Sequence, residues 1–223
     1  QEKTIHTPSP KNFNLMVSGQ IISILGSALL RFALSLYVLD TTGRGSLFAT
    51  LFAISNIPLL LAPLGGAIAD RFNRRNLMVI FDFTSSAIVL SLIILMSVGS
   101  ISVSAAGTSM VLLSIVSALY TPAVTASIPL LVEEQKLEGA NGLVQAVQAL
   151  SAVAAPVLGG ILYGLMGLKT VVAVSCISFF LSAVMELFIQ IPFVKRQWTG
   201  PVIPAIARDM KEGFIYVLKQ EFI

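Results

Sequence analysis

The sequence predicts an all-α, polytopic membrane protein of six transmembrane helices, and three observations predict it. Of its 223 residues 56% are hydrophobic and only 11% are charged, under half the share of about 25% usual in soluble domains. Mean hydropathy is +0.89. The apolar residues gather in six runs, 14–39, 47–69, 77–98, 109–131, 143–165 and 170–193, each of about 20 to 26 residues, enough to cross a hydrocarbon core of ~30 Å with some tilt. Charges avoid the runs and collect in the breaks between them.

The first run is too long for a signal peptide and has no basic leader or small-residue cleavage site. It follows a polar tail, residues 1–13, and ends at "DTTGRGS". The second run carries Pro58 and Pro63 and ends at "DRFNRRN"; the fourth carries Pro122 and Pro129, and the fifth Pro156. Membrane helices tolerate such breakers where neighbours repair the lost hydrogen bonds, so these positions predict kinks. The third break, "GSISVSAAG", is only mildly polar. The fourth is "EEQKLEGAN", and the short "GLK" separates runs five and six. Beyond "KRQWTGP", Ile203, Ile206, Met210, Phe214 and Val217 recur at spacings of three and four. Arg208, Asp209, Lys211, Glu212 and Lys219 take the other faces. Residues 194–223 therefore predict an amphipathic helix lying on the membrane surface, interrupted at Gly213, after the six-helix domain at 14–193.

Lys and Arg predict the orientation. With the N-terminus inside, Lys3, Lys11, Arg71, Arg74, Arg75, Lys136, Lys195, Arg196, Arg208, Lys211 and Lys219 are cytoplasmic. Only Arg44 and Lys169 face out, and Arg31 lies within the membrane. This split satisfies the positive-inside rule for a cell membrane protein with both ends of the segment cytoplasmic. Trp198 suits an anchor at the inner interface. Glu133, Glu134 and Glu138 fall in an inner loop and read as solvated.

The net charge of +3 comes from these clusters and forms no basic stripe, so nucleic acid is not an expected partner. The single cysteine, Cys176, cannot form an internal disulfide and reads as a small core or lipid-facing residue. The lone His6 sits in the tail, which leaves no histidine-based metal site. No nucleophile–base pair or phosphate loop points to an enzyme.

One break is unusually charged. "GAIADRFNRR", residues 66–75, places Asp70, Arg71, Arg74 and Arg75 in one turn, with Asp82 just beyond. Asp70 ends a helix whose free carbonyls favour cations, so it needs the nearby arginines. A purely topogenic cluster accounts for the arginines but not for Asp70. The stretch resembles the motif between helices two and three of major facilitator superfamily transporters, matched by Gly66, Asp70, Arg71, Arg74 and Arg75. Asn73 stands where that motif has Gly, as a residue able to take a left-handed backbone. "SAVAAPVLGG", residues 151–160, resembles the helix-five motif of drug/proton antiporters, with Pro156, Gly159 and Gly160 in place and small Ser151 and Ala155 where Gly is usual. "LYTPAVTASIPLLVEEQKLEGANGL", residues 119–143, is similar to the macrolide-efflux and siderophore-exporter branch, which also lacks a membrane arginine in helix four. "APLGG" at 62–66 echoes "APVLGG" at 155–160 in spans that run in opposite directions, as in an inverted repeat of three helices.

The resemblance implies two inverted three-helix repeats forming the N-terminal half of a 12-helix transporter, with residues 194–223 as the linker toward a seventh helix. It implies partners in the bilayer, a small-molecule substrate and a C-terminal half, no cofactor, and a proton gradient as energy source. The charged turn then holds an inner gate shut in one of two states. Intramembrane ionisable groups are the first site candidates. Arg31 is expected in the cavity, binding an anionic group or a counter-carboxylate, with snorkelling to the outer interface as the alternative. Asp82 is expected to pair with the motif arginines, with proton relay as the alternative. Glu186 is expected at the periphery near the inner interface, with a role in coupling as the alternative. Gln20, Asn56, Gln145 and Gln148 are uncharged candidates for cavity lining or for helix–helix contacts. The function expected is proton-coupled export of amphipathic small molecules. Lipid or siderophore export, or import, on the same fold is the alternative, and a non-transporting scaffold or receptor is the alternative of another class.

Overall fold

The computed structural model describes residues 10–99 and 101–191, so residues 194–223, Trp198 and most of the N-terminal tail lie outside the described residues. The described part is helical. α1 (Pro10–Thr42) starts one turn ahead of the first apolar run. The second span is broken in two, α2 (Gly45–Ile54) and α3 (Ala62–Ala69), joined by a 3₁₀ turn at Ile57–Leu61. Pro58 and Pro63 cause this break: each sits in the first positions of a new helical segment, where its missing N–H is not needed. α4 (Arg74–Val98) and α5 (Val103–Leu131) follow, and Pro122 and Pro129 stay inside α5. α6 (Leu137–Leu187) holds spans five and six. They part at Gly167, with φ 76° and ψ 172°, a conformation open to glycine at no steric cost. The expected "GLK" break is thus a single residue. The two arms of α6, 137–166 and 168–187, complete six spans.

The packing is pairwise symmetric. α3 of span two rests on α5, where a Cβ at Gly65 would lie 2.9 Å from the Ala118 carbonyl. Pro122 leaves that carbonyl without its helical N–H donor. Span five rests on α1, with Gly159 against the Leu29 carbonyl at 3.4 Å. Span six packs along α1 and span three along α5, while spans three and six meet each other. Exchanging spans one, two and three with four, five and six maps these contacts onto one another, as an inverted repeat requires.

Two apolar cores fill the bundle. One contains Met16, Met78, Ala123, Ile128, Leu131 and Ile189, near the charged turn. The other contains Leu30, Leu34, Leu92, Met110 and Val171, toward Gly43 and Gly167. Between them every long helix turns polar at the same depth. Gln20, Ser23 and Ser27 lie there on α1, Asp82, Ser85 and Ser86 on α4, Ser114 on α5, and Ser151, Ser182 and Glu186 on α6, all buried. The outer surface is apolar, and it is broadest on span two and the first arm of α6, where Leu60, Leu150, Val153 and Leu165 are 70–81% exposed.

Candidate functional site

The charged turn forms a compact network. Asp70 caps the C-terminus of α3, and its carboxylate meets the Arg74 guanidinium at 3.3 Å. Nε of Arg74 also donates to the Ala69 carbonyl at 3.1 Å, and Nη1 to the Ala126 carbonyl of α5. One arginine thus supplies the cation that the end of α3 favours, holds the misplaced Asp70 and ties the turn to α5. Arg75 reaches the other way, donating to the carbonyls of Glu186 and Leu187 at the end of α6. Arg71 is half-buried, and its backbone N–H donates to the Ile68 carbonyl at 3.0 Å. Gly66 has open space where a Cβ would stand. Asn73 corrects an expectation: its backbone is extended, at φ −64° and ψ 113°, rather than left-handed. Its side chain accepts from the Asn76 N–H and caps α4. Asp70 keeps 67% of its side chain exposed.

The helix-five stretch sorts by size. Ser151, Ala155 and Gly159, spaced by four, are buried, while Pro156 faces outward. Gly159 and Gly160 bring α6 against Leu29 and Phe32 of α1. A small-residue stripe lets two helices approach where a larger side chain would hold them apart.

The buried carboxylates depart most from expectation. Asp82 does not pair with the motif arginines. It is 2% exposed and accepts a hydrogen bond from Ser23 Oγ of α1 at 2.7 Å. Seven residues, two helical turns, separate it from Arg75, which is occupied by α6 carbonyls. Glu186 is not peripheral. It is fully buried and accepts from the Tyr120 hydroxyl of α5 at 2.6 Å. Glu186 lies on the face of α6 that packs against α1, where its Cγ stands 3.7 Å from the position of a Cβ at Gly19. Ser182, one turn earlier, donates to the Gly19 carbonyl at 2.9 Å and also lies beside Asp82. Gly19 thus joins the two sites, since Glu186 Cγ stands against it and its carbonyl takes the Ser182 hydroxyl. Asp82 Oδ2, Glu186 Oε2 and both amide atoms of Gln20 are buried with no hydrogen-bond partner among the described residues.

Sequence reasoning missed Tyr120, Ser23, Ser182, Gly19 and Gly26. The available signal was heptad spacing: Gly19 and Gly26 face Ser182 and Ser175, whose hydroxyls donate to the two glycine carbonyls at 2.9 Å.

The remaining candidates are not brought together. The Arg31 guanidinium is half-buried and makes no hydrogen bond or ion pair among the described residues. Asn56 is exposed, and its amide donates to the Phe52 carbonyl at 2.7 Å. Gln145 is exposed and Gln148 half-buried on the first arm of α6. Lys136 pairs locally with Glu133 at 2.9 Å.

The family model of the Major Facilitator Superfamily matches residues 16–218, which takes in the charged turn, the helix-five stripe and all six spans. The chain belongs to the major facilitator superfamily. Macrolide efflux protein A of Streptococcus pyogenes is 26% identical over 209 residues, covering 93% of this chain and 51% of that protein. The uncharacterized MFS-type transporter YvqJ of Bacillus subtilis is 27% identical over 219 residues, covering 96% and 51%. The chain therefore spans about half the length of these relatives. Among solved structures, the POT family transporter PepTSo superposes with a TM-score of 0.73 at 15% identity, over 86% of this chain and 40% of that one. That likeness concerns the fold. The superfamily is one of membrane transporters rather than enzymes, and the chain is a multi-pass membrane protein of that fold.

Proposed function

We propose that the chain forms the N-terminal half of a secondary active exporter of amphipathic small molecules of the macrolide type. The observation that carries this reading is the similarity to macrolide efflux protein A over 93% of the chain, a span long enough to include both the charged turn and the helix-five stripe. In this reading the protein sits in the cell membrane with its charged turn cytoplasmic. The exposed face of span two and the first arm of α6 meets a C-terminal half, and substrate occupies the space between halves. Asn56, Gln145 and Arg31 line that space. Asp70, largely exposed and paired with Arg74, is placed to exchange partners as the halves rock, so it biases one state against the other. A proton gradient supplies the energy. The test is efflux of a macrolide panel from cells expressing the full-length protein, with and without a protonophore. Lower macrolide accumulation that the protonophore reverses is the expected result. Unchanged accumulation across the panel overturns the substrate reading, and efflux indifferent to the protonophore overturns proton coupling.

A further inference from the structure

Asp82 and Glu186 come from α4 and α6 into one buried layer between two apolar cores, and each is half satisfied. Ser23 holds one oxygen of Asp82 and Tyr120 holds one oxygen of Glu186, at 2.7 and 2.6 Å. The second oxygen of each is buried and unpartnered. The bare oxygen of each meets no lysine or arginine among the described residues. Arg75, the nearest motif cation on the same face of α4, is spent on the α6 carbonyls. The groups shown against the pair are Gly19 and Ser23 from α1, Tyr120 from α5 and Ser182 from α6, none of them cationic. Two anions buried without a counter-charge cost several kcal/mol each, and such groups neutralise by taking up a proton. A second, independent feature points to a guest at this layer. Gln20, one turn from Ser23 on the same face of α1, is fully buried with its carbonyl and its NH₂ both unpartnered. A layer with bare carboxylate acceptors and a bare amide one turn from Ser23 can hold a proton on either carboxyl.

We propose that Asp82 and Glu186 are the proton-carrying pair of this transporter, with Tyr120, Ser23 and Gln20 as positioning residues. This rests on the proton-coupled reading above and names its site: the layer between spans one, three, four and six, away from the space between halves. One proton, taken from water, forms an O–H bond on Asp82 Oδ2 or Glu186 Oε2, and the same bond breaks when the proton returns to water. No other bond changes. The state of the pair reaches the charged turn through α4, because Asp82, Arg75 and the Asp70 partner Arg74 share that one helix.

The test uses full-length protein in proteoliposomes with erythromycin as probe. Flux driven by an imposed proton gradient is compared with erythromycin counterflow, which needs no net proton movement. Wild type should show both. Asp82→Asn and Glu186→Gln, which keep shape and lose the titrating group, should each cut gradient-driven flux about tenfold or more while counterflow persists, as expected for losing a charged hydrogen-bonding partner. Tyr120→Phe leaves both carboxyls in place and guards against a folding defect. It should lower gradient-driven flux while counterflow persists. Infrared spectra should show a carboxylic-acid band in wild type that both carboxyl variants lose. Variants that keep gradient-driven flux at the wild-type level, or a wild type without that band, overturn the pair. A wild type whose flux ignores the gradient overturns proton coupling itself, a different result.

Discussion

Asp70 and Asp82 lie twelve residues apart in sequence and are opposites in every physical respect. Asp70 is 67% exposed, meets a guanidinium and stands in a turn whose Arg74 and Arg75 bind the ends of different helices. Asp82 is 2% exposed, accepts from the Ser23 hydroxyl and sits in a layer closed above and below by apolar cores. An exposed ion pair contributes about 0–1 kcal/mol and is readily exchanged. A buried carboxylate without a cation is costly in its charged form and cannot trade partners without moving helices. The first arrangement suits a contact made in one state and broken in the other. The second suits a group whose protonation decides how tightly helices pack. In the proposed transporter, charge in one half is thus used in two ways, and depth in the bundle decides which.

The contrast breaks first if the interior seam is forced open. A Cβ at Gly26 would stand 2.7 Å from Ser178 Cβ, so Gly26→Leu should destabilise the protein by about 1–3 kcal/mol or more. It should lower the melting temperature in detergent and separate Ser23 from Asp82. Gly159→Leu, where a Cβ has 3.4 Å to the Leu29 carbonyl, should abolish efflux with a smaller loss of stability. If that position tolerates Leu, the helix-five stripe is not a working contact.

At the turn the effects should be functional rather than structural. Asp70→Asn removes a charge with little change of shape. Melting should stay within about 1 kcal/mol of wild type, while efflux slows by about fivefold or more, the range of a typical coupling free energy. Efflux at the wild-type rate would remove Asp70 from gating. Arg31 sharpens the comparison from the opposite end, as a half-buried charge with no bonded partner among the described residues. Arg31→Ala should weaken transport per inserted molecule a few-fold, with Arg31→Lys restoring part of it. Full rescue by Lys, with Ala changing only expression, would make Arg31 an interfacial anchor.

Much of this was legible in the residues, and the illegible part has a single cause. Six spans follow from hydropathy, and the Gly167 break follows from "GLK", because both are local properties of the chain. The charged turn was legible too, since Arg74 meets Asp70 across four residues of one local structure. The neighbours of Asp82 and Glu186 were not. Ser23 and Tyr120 lie 59 and 66 residues from the carboxylates they hold, and periodicity cannot say which helix faces which. Glu186 was misplaced for the same reason. It was expected at the membrane interface, whereas its face of α6 packs against Gly19 of α1 and Tyr120 of α5.

The account stands most directly on a paired measurement of Asp70→Asn and Asp82→Asn in full-length protein. Gradient-driven flux and counterflow are recorded for each variant and for the double variant. A gate should slow both fluxes and a proton carrier only the first, so Asp70→Asn is predicted to depress flux and counterflow together, while Asp82→Asn depresses gradient-driven flux and spares counterflow. The double variant should show counterflow no lower than Asp70→Asn alone. Equal depression of both fluxes by both variants would contradict the division of labour between the exposed turn and the buried layer.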